Sequence, residues 1–91
     1  MADTRTYTAV TSEVMDAIRA GLEAAAIDMP DTPDGEVTFF GTLRFKFGYT
    51  WDDQAETLEL EILDKPFFAP ADKLWEYADA GVSACGGTPP A

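Results

Sequence analysis

The apolar and aromatic side chains between Glu36 and Trp51 fall almost entirely on odd positions. Val37, Phe39, Leu43, Phe45, Phe47, Tyr49 and Trp51 have the same parity. Successive side chains of a strand point to opposite faces, so this set shares one face. Thr38, Thr42, Arg44, Lys46 and Thr50 share the other, with Phe40 as an aromatic intruder among them. The run is long for one strand, and a bend or bulge is expected at Gly41. Asp52–Ala55 reads as a turn. A second strand follows over about Glu56–Leu63, with Leu58, Leu60 and Ile62 inward and Thr57, Glu59 and Glu61 outward. Antiparallel pairing of the two strands is expected to set Arg44 and Lys46 beside Glu59 and Glu61, opposite charges on one outer face.

On either side of this pair the apolar period changes from two to that of a helix. A first helix is expected over about Ser12–Ala26, capped by Thr11 or Ser12, with Val14, Met15, Ile18, Leu22 and Ala25 on its apolar side. Pro30, Pro33 and the Asp34-Gly35 turn signal forbid its continuation. A second helix starts near Pro70 and stops at Gly86-Gly87, with Leu74, Trp75, Ala78, Val82 and Cys85 on its apolar side. Asp72, Glu76 and Asp79 are expected on its solvent side.

Both helices carry small residues beside the apolar stripe: Ala17, Gly21 and Ala24 on the first, Gly81 and Ala84 on the second. Such flanks permit close helix approach. The order predicts an α+β domain: a two-layer α-β-β-α sandwich with both helices on the aromatic face of an antiparallel hairpin. Residues 11–86 form this domain. Residues 1–10 form an N-terminal arm, either extended or an edge strand, with Arg5–Val10 available as a third strand. Residues 87–91 are expected to be a disordered tail. A two-stranded sheet is marginal and has two open edges, and the segment Glu36–Thr42 outruns its partner. A second copy of the chain would complete it, so a homodimer is expected.

The 91 residues include 46% hydrophobic and 12% aromatic side chains, enough for one core without disulfides. Seventeen acids against six bases give a formal net charge of −11. That field repels nucleic acid and anionic lipid and would suit a basic partner protein. No apolar run approaches the length of a membrane span, and the N-terminus lacks a basic segment followed by an apolar one. A soluble, cytoplasmic protein is expected.

Candidate chemistry is sparse. There is no histidine, which removes the commonest general base and metal ligand. Cys85, the single cysteine, falls on the apolar side of the second helix and reads as buried and inert. Asp28, Asp31 and Asp34 lack the alternate-position spacing of a calcium loop and read as turn formers. Asp52-Asp53 reads as a hairpin turn, and Glu59 with Glu61 as a solvated face. No Gly-rich phosphate loop is present. No catalytic, metal-binding or cofactor-binding set can be assembled, and an enzyme is not expected.

Two groups of aromatics remain. Phe67 and Phe68, with Phe40, offer an apolar patch for association. Tyr49, Trp51, Trp75 and Tyr77 offer the lining of a pocket. The leading functional reading is a small acidic, non-catalytic protein-interaction and homodimerisation module. Two others stand beside it: an acidic inhibitor of a basic protein, such as an immunity protein, an antitoxin or a nucleic-acid mimic, and a carrier of a small apolar ligand, which requires a cavity beneath the hairpin.

Overall fold

The computed structural model describes residues 4–39, 44–65, 68 and 70–90. The order is β1 (Thr4–Tyr7), α1 (Ser12–Ala24), β2 (Asp34–Phe39), β3 (Phe45–Asp52), β4 (Thr57–Asp64) and α2 (Ala71–Ala84). The strands form one antiparallel sheet in the order β1-β4-β3-β2. The fold is α+β, as the two periodicities predict.

The long first strand does not exist as one strand. The chain folds back on itself, and Phe39 pairs with Phe45, Val37 with Phe47 and Gly35 with Tyr49. Odd positions pair with odd positions in this register. A hairpin therefore keeps Val37, Phe39, Phe45, Phe47, Tyr49 and Trp51 on one face just as a single strand would. Parity alone could not tell the two apart. The expected bend at Gly41, with Phe40 and Leu43, lies outside the described residues.

The partner of Lys46 also differs. The β3–β4 register places Thr50 opposite Glu59, Gly48 opposite Glu61 and Lys46 opposite Asp64, with an irregularity between Lys46 and Phe47. On its other side β4 pairs with β1, so Glu59 and Glu61 face Thr6 and Thr4. Lys46 instead reaches Glu36 across the β2–β3 hairpin, at 3.5 Å.

Residues 4–10 are built into the domain. Tyr7 and Val10 are fully buried. Val10 N–H donates to the Glu56 carbonyl at 2.8 Å, and Trp51 Nε1–H donates to the Val10 carbonyl at 2.8 Å. The tail is pinned as well. Thr8 and Thr88 exchange two backbone hydrogen bonds, of 3.0 and 2.8 Å. Gly87 lies so close to Val82 that a Cβ there would meet its side chain at 2.4 Å. Of the tail expected to be disordered, Gly87 and Thr88 make these contacts with the domain. With β1 paired and β2 folded onto β3, four strands come from one chain. Of the segment that called for a second copy, Glu36–Phe39 is paired with β3 of the same chain.

Thr11 caps α1 through its side-chain oxygen, which accepts from the Val14 N–H at 3.3 Å. The helix ends two residues earlier than expected. Ala26 turns into the left-handed region (φ 61°), and Ile27 N–H closes back on the Leu22 carbonyl at 2.8 Å. Val14 and Met15 of α1 and Val82 of α2 share a cluster with Val37, Tyr49 and Leu58 of the sheet. Leu74 and Trp75 of α2 pack with Phe47. Both helices therefore bury their apolar residues against the inward side chains of the sheet.

Asp79 is not on a solvent face. It accepts from the Tyr7 hydroxyl at 2.6 Å and from Arg5 Nη1 at 2.7 Å, tying β1 to α2. The Arg5 guanidinium also lies 5.1 Å over the Trp75 ring. Burial, with the Asp79 carboxylate beside it, raises the Tyr7 phenol well above its ordinary value of 10.0. The folded state therefore holds the phenol proton more tightly than the unfolded state. This stability is fully present below about pH 10 and declines as pH rises above it, by up to about 1.4 kcal/mol per pH unit. We expect Tyr7→Phe to remove most of that alkaline slope in urea titrations run from pH 8 to 11. An unchanged slope would locate the alkaline sensitivity elsewhere.

Candidate functional site

The helices do not close over the whole aromatic face. Between α1, α2 and the sheet lies a cleft of about 670 Å³. Its floor is Val37 and Phe39 of β2, Phe45, Phe47 and Tyr49 of β3, and Leu58 and Leu60 of β4. One wall is Ile18, Gly21 and Leu22 of α1, continued by Met29 in the following loop. The other is α2, chiefly Leu74, Tyr77, Ala78 and Gly81.

The gap has a cause in the sequence. The sheet presents large aromatics, whereas Gly21 of α1 and Ala78 and Gly81 of α2 interrupt the larger side chains of the helix walls. Large side chains opposed by small ones leave unfilled space unless the backbones draw together. Here they do not: a Cβ added at Gly21 or Gly81 would meet nothing within 4 Å. Ala17 and Ala24 of α1 and Ala84 of α2 are exposed. The small flanks do not bring the helices into close contact with each other.

The floor is ordered by ring packing. Phe39 stacks on Phe45 at 4.8 Å between centroids, and Phe47 meets both edge-on at 5.9 and 5.6 Å. Phe47 is anchored in turn by Trp75 at 5.6 Å. Phe39 and Phe45 are only half-buried. Tyr49 gives the cleft its ring and not its hydroxyl. That hydroxyl lies within hydrogen-bond reach of two loop carbonyls, Pro30 at 2.9 Å and Thr32 at 3.1 Å. It holds the Pro-rich loop against the sheet.

The four aromatics expected to line a pocket divide. Tyr49 and Tyr77 line the cleft. Trp51 is turned to Val10 and Trp75 is buried behind Phe47, so neither lines it. Tyr77 stands at the mouth, 76% exposed. Of the expected association patch, Phe68 is 67% exposed, and Phe40 and Phe67 lie outside the described residues. Cys85 is half-buried and lines the cleft, so its thiol borders the open space and not a sealed core.

The cleft's polar chemistry is slight. Among the described residues, Lys73 is the only charged one in its lining, and it forms an exposed ion pair with Glu76 at 3.6 Å. Among the described residues no group of three or more Asp, Glu, His or Cys is placed to hold a metal ion. A shallower depression of about 330 Å³ occupies the opposite face of the sheet, where Gly48 lacks a side chain between Glu36 and Glu61. Its described lining is mainly acidic, with Leu63 lying against Gly48.

Ile18, Leu22, Phe39, Phe45 and Leu60, which read from the sequence as core, pack half-buried against it and also line the cleft. The available signal was the mismatch in side-chain volume between strand and helix positions. No described helix is long and apolar enough to cross a membrane. No protein-family model matches the chain, and neither a curated protein nor a solved structure matches it.

Proposed function

We propose that this protein is a non-catalytic carrier that holds a small apolar ligand between its two helices and the aromatic face of its sheet. The supporting observation is the cleft. Its volume of about 670 Å³ falls in the range of small-molecule sites, and its lining is apolar apart from Lys73 and the tyrosine and cysteine polar atoms. Filling it removes half-buried rings from water at about 25 cal/mol per Å² of apolar surface covered. The self-association reading draws on less: exposed helix flanks of alanine and glycine, a charge of −11 that opposes bringing two copies together, and a sheet already four strands wide.

Native mass spectrometry of gently purified protein is expected to show a monomer, part of it carrying an extra mass that organic extraction removes. Gly81→Leu provides the control. Its side chain would occupy the cleft from a position where a Cβ meets no neighbour, and leucine is the better helix former by about 0.8 kcal/mol. Binding should be lost while thermal stability is kept or raised. A ligand-free dimer that persists in Gly81→Leu would return the protein to the self-association reading.

A further inference from the structure

We propose that the ligand is a single-chain amphiphile with an anionic head, a carboxylate of the fatty-acid type, its hydrocarbon in the cleft and its head at Lys73 and Tyr77. This rests on the carrier reading and adds the chemical class of the guest. The first argument is the distribution of charge. The chain has seventeen acids and six bases, yet among the described residues no acid lines the cleft and the one charge that does is an ammonium. A cationic guest would find no counter-charge in the described lining, and the nearby Glu76 is already paired with Lys73. The excess charge elsewhere is largely screened beyond about 8 Å at physiological ionic strength, so the group nearest the head decides.

The second argument is where the donors lie. Lys73 and Tyr77 are one helical turn apart on α2, four residues being the spacing that sets side chains side by side. Lys73 has three N–H donors, and its ion pair with Glu76 uses one side of them. Both residues are well exposed, the Lys73 side chain at 68% and Tyr77 at 76%. A head group can therefore sit in water beside them while the chain is buried. The third argument is shape. Beyond these two residues the described lining of α2 continues through Ala78, Gly81 and Val82 without another charge, alongside Tyr49 and Leu58 of the sheet. At about 30 Å³ per heavy atom, taking water's share of liquid volume, the cleft has room for about twenty such atoms. A twelve-carbon chain with its head fits within that.

The test uses the full chain, delipidated by organic extraction, at 0.15 M salt and neutral pH. Dodecanoate, dodecanol and dodecyltrimethylammonium are titrated below their micelle-forming concentrations and followed by calorimetry. The expected order of affinity is dodecanoate, then dodecanol, then the cation. In Lys73→Met, dodecanoate should weaken about three- to fivefold, the scale of one exposed ion pair, and dodecanol should not change. Lys73 is exposed and outside the core, so the variant folds, and circular dichroism checks it. Equal binding of dodecanoate and dodecanol, with Lys73→Met affecting neither, would overturn the anionic head and leave the carrier reading intact. Preference for the cation would do the same. Failure of all three to bind, with Gly81→Leu indistinguishable from the parent, would remove both.

Discussion

Replacing Phe47 by alanine is expected to lower the stability of the domain by about 3–5 kcal/mol, the cost of deleting a large buried aromatic. Phe47 is 5% exposed and lies at the junction of three rings. Phe39 and Phe45 meet it from the β2–β3 hairpin, and Trp75 meets it from α2. Its loss would leave a hole directly beneath the cleft, so α2 would lose its grip on β3. Marginal domains have about 5–15 kcal/mol in all, and this one change takes a large share of that. The companion change Phe45→Ala should cost distinctly less, because Phe45 is half-buried and one side of its ring already faces open space. Urea denaturation measures both, as a lower midpoint at unchanged slope. If Phe45→Ala proved the more damaging, the ring that anchors the helix would have been misassigned.

The second large effect is expected at Asp79. Removing its carboxylate in Asp79→Ala strands the hydroxyl of a fully buried tyrosine and releases Arg5. An orphaned buried donor costs about 1–3 kcal/mol. The ion pair adds under about 1 kcal/mol, since both partners are about one-third exposed and solvent screens them. The expected loss is about 2–4 kcal/mol. Asp79→Asn keeps an acceptor for the hydroxyl and should recover more than half of it. Combining Tyr7→Phe with Asp79→Ala should cost much less than the sum of the two, because without the hydroxyl nothing is stranded. Simple additivity in that cycle would mean that the two side chains do not depend on each other.

The class of fold was readable because both periods are strong. The helix starts were readable from Thr11 and Pro70, whose chemistry acts locally. Three things were not. The strand break could not be seen because the hairpin register pairs odd residues with odd, leaving the alternation unchanged. The docking of β1 rests on Tyr7, whose burial depends on an acid 72 residues away. Asp79 looked like surface for the same reason, since helix geometry alone puts it opposite Leu74 and says nothing of β1. The candidate site was hidden more deeply still. Apart from Lys73 and Tyr77, the lining residues are of types common in a core, and only the fit between facing elements separates a filled interior from an unfilled one. Lys73 drew no notice among the exposed charges of a helix, because its meaning comes from the acids missing around it.

The pairing of β1 with β4 also bears on how the chain reaches this state. The hairpins β2–β3 and β3–β4 are local and close short loops. Thr4 pairs with Glu61, and Thr8 with Thr88, so the outermost strand and the tail bring together segments separated by most of the chain. Closure entropy rises by roughly 0.6 kcal/mol with each doubling of the enclosed length. The meander can assemble first, and the distant clasp gains its contacts only on a surface already built. Until Tyr7 and Val10 arrive, the free side of β4 stands as an open edge beside an aromatic sheet. The stage most exposed to misassembly is therefore the one before the two ends of the described chain meet.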